Sequence, residues 1–246
     1  MSSTGKRRAL ALAYGAMCHG SFLIAVALMA VGLFTGMRSG VGPFTGIWAV
    51  LANGFLVAQF PIAHSLLLTK RGMKSIGALA PAELRRSLAP TTYALIAALQ
   101  IAATFGFWSP SNVVLWQPTG LAHDVHLAAF IAAWIFLAKA LFDAGLGLQT
   151  GWIGWTSAWQ GRSPRYPSLP QTGLFARCRQ PIYLGFALVL WTGPAWTPDH
   201  LAIAIAWGTY CAVGPLHKER RFAAIYSEDF EAYRRRVPYL IPRLFS

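Results

Sequence analysis

The chain contains 246 residues, of which 55% are hydrophobic and 12% are charged, with a mean hydropathy of +0.46. Soluble domains carry about a quarter charged residues, so this composition excludes a soluble enzyme, a secreted disulfide scaffold and a disordered chain. Lys and Arg outnumber Asp and Glu by 21 to 8, a net charge of +13 that suits either nucleic acid or a membrane surface, depending on where the charges fall.

Six apolar runs follow one another along the chain. They cover residues 10–34, 44–68, 92–108, 121–146, 182–196 and 201–216. Each is long enough to cross a membrane or to form half of a tight hairpin within it. Only four residues separate the last two runs, so these are predicted to pair as an antiparallel helical hairpin. The predicted fold class is all-α: a polytopic helical membrane protein with about six spans, one domain over residues 1–246, and a cytoplasmic helix within the tail 217–246.

The basic residues alternate from one side of the predicted membrane to the other. Nineteen of the 21 lie before the first run, between the second and third, between the fourth and fifth, or after the sixth. Arg38 lies on the opposite side, and Lys139 lies within the fourth run. By the positive-inside rule, this pattern places both termini in the cytoplasm. It assigns the excess charge to topology and to anionic lipid, not to nucleic acid.

Two polar segments on the cytoplasmic side could form a site, residues 171–185 and 216–242. In the first, Pro181 begins a helix whose unpaired N–H groups lie beside Arg177 and Arg179, an arrangement that suits a carboxylate or phosphate. Basic residues also flank most cytoplasmic helix ends without binding anything. In the second segment, aromatic residues at helical spacing alternate with charges, which is typical of an interfacial helix as well as of one wall of a site.

Ionisable residues also occur inside the apolar runs. Lys139 and Asp143 are one helical turn apart, so they either form an ion pair or line a pocket. His64 either acts on a substrate or hydrogen-bonds between helices. His123, Asp124 and His126 are too close in sequence to converge on one ion from a helix, so no metal site is predicted.

The two polar segments contain spaced motifs. The first holds Thr172-Gly173-Leu174-Phe175 and Arg179-Gln180-Pro181-Ile182-Tyr183-Leu184-Gly185, and the second holds Glu219-Arg220-Arg221-Phe222, Tyr226-Ser227, Phe230, Tyr233, Val237-Pro238 and Pro242. These resemble the motifs TGxY…RHPxYxG and EExxLxxxFGxxYxxYxxxVPxxxP of the isoprenylcysteine carboxyl methyltransferase family. Elements around His64, Tyr93 and Asp143 are most similar to its bacterial methanethiol S-methyltransferase branch. Gln180 stands in place of the family's His, and Lys218 stands in place of the first Glu.

The resemblance implies a membrane methyltransferase that uses S-adenosylmethionine. The residues that it implies for cofactor binding are Gly173, Leu174, Arg179, Gln180, Tyr183, Glu219, Arg220 and Tyr233. Arg179 is expected to hold the cofactor's carboxylate, Glu219 its ammonium or ribose, and Tyr183 and Tyr233 its adenine or sulfonium. His64 and Asp143 are the expected catalytic residues.

The expected acceptor is a small lipophilic or gaseous thiol such as methanethiol, which enters from the lipid of a bacterial inner membrane. Gln180 cannot accept a proton, but a thiol that is partly ionised near neutral pH needs no strong base. Two alternatives stay open. One is methylation of a lipophilic carboxylate or amine, and the other is a non-enzymatic haem-binding protein with His19 and His64 as ligands.

Overall fold

The computed structural model describes residues 3–242, which form helices and loops with an isolated bridge between Trp116 and Trp196. The helices are α1 (Ser3–Phe34), α2 (Gly46–Leu67), α3 (Lys70–Gly77), α4 (Arg85–Gly106), α5 (Gly120–Asp143), α6 (Leu146–Gln149), α7 (Trp152–Gln160), α8 (Pro181–Trp191) and α9 (Pro198–Arg236), with short 3-10 helices at Ala82–Leu84 and Gly173–Ala176. Among the described residues, α1, α2, α5 and the helical stretch Ala82–Gly106 are long and apolar enough to cross a membrane. The chain is a polytopic helical membrane protein, as its composition predicts.

Helices α8 and α9 form the predicted hairpin. Helix α8 has 11 residues and ends at Trp191, five residues before the end of the apolar run, because the chain turns there toward α9. The His200 ring closes the turn through contacts with the carbonyl oxygens of Leu190 and Ala195, at 2.9 and 3.0 Å. The Thr197 hydroxyl accepts a hydrogen bond from the His200 amide at 3.0 Å and so caps the start of α9.

Helix α9 continues beyond the predicted span. It passes residue 216 without ending, and the predicted cytoplasmic helix is its continuation as far as Arg236. At Ser227 the backbone is non-helical, with φ 40° and ψ −112°. A positive φ favours glycine, and glycine is the residue that the family motif carries at this position.

The chain divides into two compact units. The first comprises Met1–Ala30, Gly40–Ser109 and Gly145–Pro167, and the second comprises Val31–Ser39, Pro110–Ala144 and Ser168–Ser246. In each unit a glycine allows two helices to approach each other closely. In the first, a Cβ atom on Gly154 would overlap Thr91, and in the second, a Cβ atom on Gly185 would lie 2.9 Å from the Cα atom of Leu137.

Candidate functional site

Arg179, two residues before the start of α8, forms a buried ion pair with Glu219 of α9 in the second unit. Arg179 donates from Nε to Glu219 Oε1 at 2.8 Å and from Nη2 to Oε2 at 3.2 Å, and both side chains are about a tenth exposed. Its Nη1 donates to the carbonyl oxygens of Arg234 and Val237 at 3.1 and 2.6 Å. Its amide donates to the Pro238 carbonyl at 2.9 Å. Arg179 therefore fixes the end of α9, and the chain that follows it, to the start of α8.

Gln180 extends this ion pair into a network. Its buried side chain donates from Nε2 to Glu219 Oε1 at 2.8 Å, and its Oε1 accepts from Lys218 Nζ at 3.2 Å. Gln180 and Lys218, which stand in place of the family's His and first Glu, are thus hydrogen-bonded to each other. The network that runs from Lys218 through Gln180 and Glu219 to Arg179 contains two cations and one carboxylate. It therefore keeps one positive charge that none of its own members neutralises.

That remaining charge lies among aromatic rings. The Lys218 ammonium is 5.3 Å from the ring centroid of Phe222, 5.7 Å from that of Tyr183 and 6.0 Å from that of Phe175. Burial lowers the pKa of Lys218 to about 8, against its usual 10.5, and the Glu219 charge only partly opposes this effect. A cation that has lost water without gaining a full counter-charge is stabilised by an added anion. The position therefore suits a ligand carboxylate.

The Gly173–Ala176 turn is held by α5. The Leu174 amide donates to Asp143 Oδ2 at 2.8 Å, and Lys139 Nζ donates to the same oxygen at 2.6 Å. Gly173 has a φ of 61°, and a Cβ atom on it would overlap the Asp143 carboxylate. Lys139 and Asp143 therefore form an ion pair, which is one of the two outcomes that their spacing allowed, and Asp143 also supports the turn. A catalytic role for Asp143 stays a prediction.

Tyr233 connects this turn to the end of α9. Its hydroxyl donates to the Phe175 carbonyl oxygen at 2.7 Å, and its buried ring packs with Phe230. Burial raises the pKa of Tyr233, so its hydroxyl stays protonated at neutral pH. Arg220 differs from the other implied cofactor residues: its side chain is exposed and makes no hydrogen bond or ion pair with the described part of the chain.

His19 and His64, the two histidines considered for haem ligation or catalysis, lie in the first unit, and each has a protein partner. The Tyr93 hydroxyl is 2.8 Å from the His64 imidazole, and His19 Nε2 accepts a hydrogen bond from Trp155 Nε1 at 3.0 Å. Hydrogen bonding between helices is therefore the role that these contacts show. Catalysis by His64 stays a prediction.

Lys218 is the site residue that the sequence analysis did not select. Two features of the sequence could have indicated Lys218. It stands in place of the family motif's first Glu, and Phe222, four residues later, places an aromatic ring on the same helix face. No sequence pattern indicated the contact of Arg179 with the carbonyl oxygens of Arg234 and Val237, because every residue has a main-chain acceptor.

Comparison with known proteins gives the class and the family. No family model matches the chain, and no solved structure matches it. Methanethiol S-methyltransferase 2 of Bradyrhizobium diazoefficiens is 30% identical over 202 residues, which cover 80% of this chain and 75% of that protein. The methanethiol S-methyltransferase of a Pseudomonas species is 28% identical over 241 residues, or 94% and 90% of the two chains, and that of Crocosphaera subtropica is 26% identical over 252 residues, or 98% and 95%.

The helical membrane fold and these relatives together define a membrane-embedded methyltransferase. Within that class, the chain belongs to the methanethiol S-methyltransferase family.

Proposed function

We propose that this protein transfers a methyl group from S-adenosylmethionine to a small thiol, and that methanethiol, the thiol named for its relatives, is the substrate. The observation that carries the proposal is the buried network of Lys218, Gln180, Glu219 and Arg179, with its unneutralised positive charge beside three aromatic rings. A zwitterionic ligand with an aromatic base and a cationic centre suits such a site.

The amino-acid end of the cofactor carries a carboxylate and an ammonium group. Lys218 and Glu219 are neighbours of opposite charge, and Gln180 hydrogen-bonds to both. We assign the carboxylate to Lys218 and the ammonium to Glu219. In this assignment Arg179 positions Glu219, because its guanidinium already donates to that carboxylate and to two carbonyl oxygens.

The rings of Tyr183, Phe175 and Phe222 offer faces for adenine or for the sulfonium, because aromatic faces attract cations and stack with bases. Gly173 and Leu174 belong to the same turn as Phe175, and Asp143 holds this turn by accepting a hydrogen bond from the Leu174 amide. An exposed glycine leaves room for a ligand to approach the main chain closely.

When bound, the cofactor supplies a methyl group on a positively charged sulfur that a nucleophile attacks in line. The ionised thiol, whose proton goes to water, would receive this methyl group, and the donor would leave as S-adenosylhomocysteine. Gln180 can donate a hydrogen bond in the site but cannot take the proton. This suits a thiol, which ionises without a strong base, better than a poorly acidic acceptor.

The basic residues support a location in the bacterial inner membrane with both termini in the cytoplasm, since 19 of the 21 fall on one predicted side. A small apolar thiol would then reach the protein from the lipid, and the water-soluble cofactor from the cytoplasm.

The test is the product in the headspace above the purified full-length protein supplied with S-adenosylmethionine and methanethiol. We expect dimethyl sulfide from the wild type and from Glu228→Gln, an exposed carboxylate on the same tail, and its loss in Glu219→Gln. His64→Gln is expected to keep its affinity for S-adenosylhomocysteine, whatever its rate. If the protein methylated an isoprenoid carboxylate or a lipid amine and formed no dimethyl sulfide, that compound would be its methyl acceptor in place of the thiol.

A further inference from the structure

A groove of about 600 Å³ lies in the first unit along α7 and the loop that follows it. Its lining has an apolar part and a cationic part. The apolar part includes Leu12, Trp152, Trp155 and Trp159, and the cationic part contains Arg162 and Arg165. Leu12 and Trp152 are each about half exposed, and both arginines are exposed. An aromatic belt at a membrane interface accounts for the tryptophans, but not for two guanidinium groups in the same groove.

The first unit has almost no negative charge with which to neutralise these arginines. It contains ten Lys and Arg residues and one carboxylate, Glu83. Among residues 3–242, every ion pair lies in the second unit. Arg7 Nε is buried without a hydrogen-bond partner in the described part of the chain, and the Arg8 guanidinium lies over the Trp159 ring at 5.1 Å. Within the first unit, no carboxylate other than Glu83 could neutralise this surface.

The basic segments come together at the end of the unit where the groove lies. Ala11 of α1, Leu84 of the 3-10 helix that precedes α4, Leu88 of α4 and Ala158 of α7 belong to one buried cluster, against which Trp155 and Trp159 pack. Lys6–Arg8 precede the first of these residues, and Arg85 and Arg86 lie between Leu84 and Leu88. Both basic segments therefore adjoin, along the chain, residues of the cluster on which the groove's Trp155 and Trp159 pack.

The wall of the groove is rigid. A Cβ atom on Gly15 would lie 2.7 Å from the Trp155 ring, so α1 and α7 are in close contact. Trp155 Nε1 donates to His19, which fixes the indole in place. A preformed apolar wall needs little reorganisation to bind a ligand.

We propose that this groove binds an anionic glycerophospholipid, with the phosphate at Arg162 and Arg165 and the acyl chains along Leu12 and the tryptophans. Arginine binds phosphate through paired, charge-assisted hydrogen bonds. Basic pockets next to membrane helices attract anionic headgroups, because the local charge and the lipid charge are opposite. A free phosphate ion would satisfy the arginines but leave the apolar wall unused.

The experiment is native mass spectrometry of the full-length protein with equal amounts of phosphatidylglycerol and phosphatidylcholine. We expect retention of phosphatidylglycerol by the wild type and loss of about tenfold to thirtyfold in affinity for Arg162→Gln/Arg165→Gln. The matched control, Lys70→Gln/Arg71→Gln, removes two exposed cations of the same unit outside the groove and should retain the lipid. Arg162→Lys/Arg165→Lys should retain it in part, and Leu12→Ser should weaken it.

Three results would overturn the proposal. The first is undiminished phosphatidylglycerol binding in the Arg162→Gln/Arg165→Gln variant. The second is an equal loss in that variant and in the Lys70→Gln/Arg71→Gln control, which would mean diffuse charge without a site. The third is displacement of the lipid by glycerol 3-phosphate, which has the headgroup phosphate without acyl chains and would reveal a site for free phosphate. Unfolding temperatures of the variants, measured in the same detergent, confirm that each is folded.

Discussion

The first unit carries ten Lys and Arg residues against the single carboxylate of Glu83, whereas the second carries eleven against seven carboxylates. In the second unit the Arg179–Glu219 pair is about nine-tenths buried, and it fixes the end of α9 to the start of α8. In the first unit Arg162 and Arg165 stay exposed beside an apolar groove. The comparison shows that a cation close to a carboxylate forms an ion pair that stabilises the fold. A cation without a nearby carboxylate stays exposed and can bind an anion from outside the protein.

The largest expected effect comes from breaking the buried pair. Glu219→Gln leaves the Arg179 guanidinium buried without its counter-charge, and we expect a loss of about 3 kcal/mol in the free energy of unfolding. The measurement is thermal or denaturant unfolding in detergent. The control is Glu83→Gln, which removes the only carboxylate of the first unit, is exposed, and should change stability by less than about 0.5 kcal/mol. Equal losses would remove the distinction between the two units.

Gly173→Ala tests the contact between the turn and Asp143. The new methyl group would overlap the carboxylate, and the φ of 61° disfavours alanine, so we expect a loss of about 2 to 3 kcal/mol. Gly120→Ala is the matched control, because Gly120 has a φ of 56° and no atom near its would-be Cβ. That variant should lose only about 1 kcal/mol. The same loss at both positions would show that backbone strain, not Asp143, accounts for the effect.

The pH dependence of cofactor-product binding tests Lys218. Its pKa of about 8 means that it is charged at pH 7 and loses its proton as the pH rises, so the attraction for a ligand carboxylate is lost on the alkaline side. We expect the affinity for S-adenosylhomocysteine, measured calorimetrically, to fall by up to about tenfold per pH unit above pH 8.

Two variants separate charge from packing at this position. Lys218→Gln should bind S-adenosylhomocysteine more weakly than the wild type at pH 7, and its affinity should not fall further as Lys218 would lose its proton. Lys218→Arg should keep both its charge and its affinity through pH 9. A wild-type profile that matches the arginine variant would exclude the assignment of the carboxylate to Lys218.

The smallest effect concerns the strained backbone within α9. Ser227→Gly relieves the positive φ, and we expect a gain of about 1 kcal/mol, or about 2 to 4 °C in unfolding temperature. Ala224→Gly, at an exposed position of the same helix with regular geometry, should lose about 1 kcal/mol. Changes of the same sign in the two variants would contradict strain at Ser227.

The sequence predicted the helices well, and it selected several of the residues that the structure brings together around Arg179 and Glu219. The apolar runs predicted α1, α2, α4 and α5 because hydropathy and length are local properties. The motifs indicated that the segment around Arg179 and the segment around Glu219 belong together. They did not indicate that these two side chains bind each other, nor that Arg220, the next residue, is exposed, because a motif does not give side-chain directions.

The amino-acid sequence by itself determined a helical membrane protein with a hairpin near its end and a strong bias in its positive charge. Each of these follows from apolar length, turn residues and charge position along the chain. Only the tertiary structure decided which cations are neutralised, because Arg179 and Glu219 are 40 residues apart and meet only when α8 packs against α9. The same packing places half-buried Lys218 among three rings and gives it the lowered pKa that no local pattern could assign.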